Sequence, residues 1–300
     1  MVNYRGIIYD GVRALGYDAS EEVVALADGV GFTWLGKLHF YAAQPVFDDT
    51  DRASAECGIE KGSAVLGCYA EGIIYVYDVD NSELKGVEEV TAAHEMLHAA
   101  YTGLKAPDKE RVNQLLKNEE NSRSNDKSFM ERLSVYDGLN EADRLNELHS
   151  IIGTEVSDIS AELEQYYAQY FESRAKVVAL HDDYAAVFGR LQDELDQLVE
   201  RYNSLIDMRN QLVTSMNERQ GALERRIASA NAAGGVSRSE AAAVNAEVDQ
   251  FNAELSNVRY RVARYDSELE NLRQKIDSSN ARREKLDQII DSSLAPAAQL

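Results

Sequence analysis

The chain has 300 residues, and its 52 acidic against 31 basic side chains give a formal net charge of −21. That length suits about two domains, and the acid surplus argues against a nucleic-acid backbone or an anionic bilayer as the main partner. No apolar run reaches the ~18 residues of a membrane span. Residues 1–6 lack the apolar core of a secretory signal, which leaves a cytoplasmic chain or one without its leader or anchor.

Taken in order, Ser20-Glu21-Glu22 followed by Val23, Val24, Leu26 and Ala27 predicts a capped helix ending near Gly29 or Gly31. Residues 37–42 alternate polar and apolar with aromatics, predicting a strand closed by Pro45, with His39 on a strand face. Residues 48–56 are acidic and polar and predict a loop. Cys57 and Cys68 bracket a short segment that a disulfide closes easily. If that bond forms, the domain works in an oxidising space outside the cytoplasm; two reduced thiols would fit a cytoplasmic chain. Residues 64–69 and 73–77 flank Ala70-Glu71-Gly72 and predict a hairpin. Residues 78–85 then read as a polar loop.

The strongest chemical signal follows. His94-Glu95-Met96-Leu97-His98 has the form H-E-x-x-H, in a stretch from Val87 to Tyr101 free of Gly and Pro. Residues four apart share a helix face, so both imidazoles can bind one metal ion from adjacent turns. Glu95 can lean toward the same ion without ligating it and take the proton of the attacking water, as general base in metal-assisted hydrolysis. The strand before this helix could pair through its free edge with an extended peptide.

Pro107 sits in the first turn of the next helix. Further helices fit residues 127–136 and 141–152, and Ser157-Asp158 reads as the N-cap of a helix through Leu163, Tyr166, Tyr167, Tyr170 and Phe171. From Val177 apolar residues recur at a 4-3 spacing through Leu191, Leu195, Leu205 and Met216. The spacing restarts with Val244, Val248, Phe251 and Leu255 and reaches Leu272, Ile276, Leu286 and Ile290. Heptads sustained this long predict a coiled coil. The break at 233–237, with Ser237 and Glu240 as a capping box, folds it into an antiparallel hairpin. His181 and Arg209 occupy seam positions and read as register features rather than ligands.

From about residue 64 to 172 the chain resembles the zincin metallopeptidases, and more narrowly the gluzincins, through HEMLH, the strand before it and a helical acid downstream. The resemblance implies zinc, with His94 and His98 as ligands, Glu95 as base and a downstream Glu as third ligand, for which Glu155 is the choice. Gluzincins commonly carry an Asp four residues after that Glu, whereas here Asp158 falls at plus three. The metzincin extension is absent, since residues 103–105 lack the third His. His149 is the alternative third ligand, or a donor to the oxyanion, a role also open to Tyr166, Tyr167 and Tyr170. Glu147 and Asp158 could orient the imidazoles.

The expected fold is α+β: a mainly helical zincin-like metallopeptidase domain with a small β-sheet over residues 1–172, and an antiparallel coiled-coil hairpin over 173–300 that turns near 232–238. The expected function is a zinc-dependent endopeptidase acting on a protein or peptide, whose coiled coil recruits substrate, binds a partner protein or self-associates. The other reading is an inactive zincin-like scaffold acting as a coiled-coil interaction protein.

Overall fold

The computed structural model describes residues 4–47, 57, 66–79, 81–232 and 236–290. Among them the chain is mostly helical, with one small mixed sheet of three strands, so the helix-dominated α+β class holds. The expected loop over 48–56 lies outside the described residues.

Helix α1 (Tyr4–Leu15) leads to α2 (Glu21–Val30). Helix α2 starts where Ser20 accepts the N–H of Val23 (3.3 Å) and stops at Gly31, whose φ of 77° suits glycine. Both ends match the sequence signals. Residues 37–42 do not form the expected strand; they lie in α3 (Trp34–Ala42). Two features outweigh the short alternating pattern. The Thr33 hydroxyl accepts the N–H of Gly36 (3.2 Å) and starts a helix, and Gly36 and Phe40, four apart, form its buried face. Neighbouring chain also fixes this end, because Thr33 donates its N–H to Tyr170 O (2.8 Å). His39 is thus a helix residue, with Nδ1 3.1 Å from an Asp10 oxygen.

The sheet has the order β1 (Val46–Phe47), β3 (Ile73–Val76), β2 (Gly67–Ala70). Strand β1 runs parallel to β3, and β2 runs antiparallel to it, with Tyr69 opposite Ile74. The expected hairpin is present and turns on Glu71 and Gly72, with φ of 50° and 78°, the left-handed pair that a two-residue hairpin loop requires. The strand directly before the H-E-x-x-H segment is β3, which is central; the outer strands are β1 and β2. Cys57 and Cys68 form a disulfide, Cα–Cα 6.0 Å, tying β2 to an earlier part of the chain.

After a loop with a 3₁₀ turn (Ser82–Leu84), α4 (Val87–Thr102) runs through the middle of the core. Its Ala92, Ala93, Met96 and Leu97 are fully buried and cluster with Val23 and Val30 of α2, Phe40 of α3, Ile74 of β3, and Leu148 and Ile152 from further along the chain. An amphipathic helix would expose one face; α4 is covered almost all round, which accounts for its run of Ala, Met and Leu. Then come α5 (Ala106–Ser122), α6 (Lys127–Ser134), α7 (Glu141–Glu155) and α8 (Ala161–Tyr167).

Helix α7 continues past the expected end at residue 152. The buried Arg174 guanidinium donates to the carbonyls of Ile152 (3.2 Å), Val156 (2.5 Å) and Ser157 (2.6 Å), so the last turn has partners for its otherwise orphaned carbonyls. Helix α8 is capped at Ser160 rather than at Ser157-Asp158, and it ends before Tyr170 and Phe171. It starts later because Glu119 of α5 accepts the Ser160 N–H (2.9 Å).

Helices α9 (Arg174–Ala232) and α10 (Arg238–Ile290) complete the chain. One compact unit runs to Gly189 and takes in the described residues from Glu284 onward; the other is Arg190–Arg283. In the first, Val177 and Val178 at the start of α9 are buried. In the second, Arg201 pairs with Glu268, Arg209 with Asp266, Arg219 with Glu254 and Arg226 with Glu247. Partners rise on one helix as they fall on the other, so this unit is an antiparallel helical hairpin. Leu195, Leu205 and Met216 are buried on α9, as are Phe251 and Leu272 on α10, all at the expected seam positions. Those exposed ion pairs contribute little energy each and serve mainly to fix register. Glu240 donates its N–H to Ser237 Oγ (3.2 Å) and its carboxylate accepts the Ser237 N–H (3.0 Å), completing the capping box.

Candidate metal centre

Helix α4 starts at Gly86, whose φ of 92° and lack of a side-chain cap leave Glu88 and Glu89 to complement the helix dipole. Glu88 also accepts the N–H of Val79 (2.8 Å) and holds the incoming loop. One turn further on, His94 and His98 lie edge to face with ring centroids 4.8 Å apart. They project toward α7, and there they meet Glu147. Its Oε2 is 3.6 Å from His94 Nε2 and 3.7 Å from His98 Nε2.

His94, His98 and Glu147 form a group whose ligand atoms all lie within 4.8 Å of one another, the only such group among the described residues. Two imidazole nitrogens and a carboxylate oxygen spaced in this way could hold a metal ion, since a tetrahedral ion with bonds of ~2.0–2.1 Å keeps its ligand atoms about 3.3 Å apart. The side chains are also buried: His98 is 3 % and Glu147 4 % exposed.

The far side of each ring is engaged as well. His98 Nδ1 is 3.4 Å from Ser150 Oγ, one turn along α7 from Glu147. His94 Nδ1 faces Glu155 Oε1 at 3.9 Å. Glu155 therefore reaches the cluster from the side opposite Glu147, and its Oε2 is held by Arg132 Nη1 (2.5 Å) and lies 3.5 Å from His181 Nε2. The expected ligand set thus comes together in part: the imidazole pair meets a carboxylate, but the one facing both Nε2 atoms is Glu147.

Glu95 lies beside this group at 5 % exposure. Burial pushes its carboxyl up to about 7; the nearby His98 opposes that rise, the Glu147 charge adds to it, and a hydrogen bond from the backbone N–H of Tyr69 opposes it further. Tyr77 donates its N–H across the hairpin to Leu66 O. By alternation along the ladder Tyr69 turns its N–H away from β3, onto the outer edge of β2, where Glu95 accepts it.

His149 and Tyr166 lie elsewhere. His149 is wholly buried among Tyr101, Tyr166 and Tyr167, and its Nε2 is 2.9 Å from Tyr166 Oη. Tyr167 donates to His149 O (2.7 Å) and Tyr170 to Tyr166 Oη (3.3 Å), and Tyr166 and Tyr170 line a cavity of about 560 Å³ together with Tyr69 and Ala100. Asp158 is exposed beyond the end of α7. A phenol not singled out in the sequence has the charges on it instead: Tyr136, 2 % exposed, is pushed up by burial and then by Glu147, Glu155 and Glu95. Its position after the short helix α6 carries no motif that would have marked it.

Gly153 sets the spacing of the site. A Cβ there would sit 2.3 Å from Leu97 Cδ1 on α4 and 2.9 Å from Tyr167 Cε1. Gly153→Ala should therefore lower stability by about 1–3 kcal/mol despite the better helix propensity of alanine. It should weaken metal binding too, by moving Glu147 away from the imidazoles. Denaturant melts and a chelator competition measure the two effects.

No protein-family model, curated protein or solved structure matches this chain.

Proposed function

We propose that this protein is a zinc-dependent endopeptidase of the zincin type, its zinc held by His94, His98 and Glu147. The observation that carries this reading is the convergence of both Nε2 atoms on one Glu147 oxygen, at 3.6 and 3.7 Å, with Glu95 buried alongside. Glu147 replaces Glu155 as third ligand; Glu155 acts instead as the carboxylate that orients His94, and Ser150 does the same for His98. Zinc bound there supplies a Lewis acid that acidifies a water and polarises the peptide carbonyl.

The chain's own residues supply the rest. Glu95 accepts the proton of the attacking water and returns it to the leaving amine nitrogen. The oxyanion would take a donor from a nearby Tyr or His, for which Tyr166 and His149, bonded to each other, are the candidates. An extended peptide aligned on the outer edge of β2 passes the base, because Glu95 is anchored on that edge through Tyr69. The Cys57–Cys68 bridge that holds β2 suits an oxidising space. The helical hairpin recruits substrate or a protein partner.

Purified protein is expected to carry one zinc per chain, removable by chelator and restored by added zinc, as read by metal analysis. A chain that binds no zinc at micromolar concentration would favour the inactive scaffold.

A further inference from the structure

We infer that His181, on the first turns of α9, is a positioning residue for the metal centre, acting with Arg132 through Glu155 on His94. The inference rests on the metal reading of His94, His98 and Glu147. Glu155 is the last residue of α7, where a helix frays and a side chain is poorly fixed by its own backbone. Its two oxygens have different neighbours. Oε2 takes Arg132 Nη1 at 2.5 Å and faces His181 Nε2 at 3.5 Å, while Oε1 faces His94 Nδ1 at 3.9 Å. With Arg132 bonded to Oε2 and His181 packed against the same oxygen, Oε1 is left toward the imidazole, and a carboxylate on Nδ1 fixes the tautomer that leaves Nε2 free to ligate.

Of these two neighbours, His181 is the more buried. Its side chain is 8 % exposed against 28 % for Arg132. Its ring packs edge to face on Tyr184 (centroids 5.2 Å apart), and its Nδ1 lies 3.4 Å from Asp182 Oδ1. Arg132, by contrast, stands on the eight-residue α6. A heptad position that the sequence assigns to coiled-coil register therefore serves the catalytic unit, to which the chain up to Gly189 belongs.

The test uses the full chain, with zinc affinity measured by chelator competition, the visible absorption of the cobalt-substituted protein, and melting of the metal-free form. His181→Leu should weaken zinc binding about tenfold and change the cobalt spectrum. His181→Gln, which keeps an N–H donor, should recover most of both. In a Glu155→Gln background His181→Leu should add no further loss, because the path through Glu155 is already cut. Parent affinity and an unchanged spectrum in His181→Leu would overturn the inference, as would full additivity with Glu155→Gln. If His181→Leu melts too early to measure, His181→Gln must still bind within a few-fold of the parent, and a tenfold loss there counts against the inference. A parent chain that binds no zinc defeats the underlying metal reading instead, a result distinct from these.

Discussion

Glu95→Gln is expected to lower peptide hydrolysis by about 10²- to 10⁴-fold while leaving zinc content unchanged, because it removes only the proton acceptor. The residue lies outside the His94, His98 and Glu147 cluster, so the proposed ligand set survives the change. The amide is isosteric and uncharged, which makes it the easier group to bury at this 5 % exposed position. A pH effect follows from the raised carboxyl. In the metal-free protein Glu95 has a folded value of about 7 against about 4.5 unfolded, so the fold favours its protonated form. The stability from that preference is present below about pH 4.5 and is lost as pH rises through about 7. The metal-free parent should therefore melt progressively earlier across that window, and Glu95→Gln should show a flatter profile. With zinc bound, the cation favours the carboxylate, so the acid limb of turnover falls at or below about pH 7. Equal hydrolysis by parent and variant would rule out Glu95 as the base.

The second large effect separates the two candidate carboxylates. Glu147→Gln should all but abolish zinc binding, since it removes a ligand facing both imidazoles. Glu155→Gln should retain zinc, at an affinity lower by the ~10–100-fold that loss of an orienting partner costs. Chelator competition on both variants, with melting of the metal-free forms as a check on folding, gives the order. The reverse order would return Glu155 to the ligand set and would dismantle the geometry argued above.

What could be read without coordinates follows how local each signal is. The H-E-x-x-H pair needs only one helix, and α4 supplies it. The heptads and the Ser237–Glu240 capping box are likewise local patterns repeated or closed within a few turns, and each reappears in α9 and α10. The third member of the cluster is different. Glu147 and Glu155 are two turns apart on one helix, about 12 Å along its axis, and nothing within that helix says which turn crosses α4. The crossing depends on Gly153, Leu97 and Tyr167 fitting together, a tertiary fact. One hint was legible: Glu147 stands between Leu145 and Leu148, in a stretch too apolar for a solvated acid. Residues 37–42 show the opposite failure. Six alternating residues are too few to distinguish strand from helix, and the Thr33 cap just upstream decided the matter.

The helical hairpin of Arg190–Arg283 spends its apolar stripe at home: Leu195, Leu205 and Met216 are already covered, and so are Phe251 and Leu272. Outside that stripe, Val199, Met208 and Tyr260 are large apolar side chains left open to solvent, so a substitution at any of them should change what the hairpin can touch while leaving its own pairing intact.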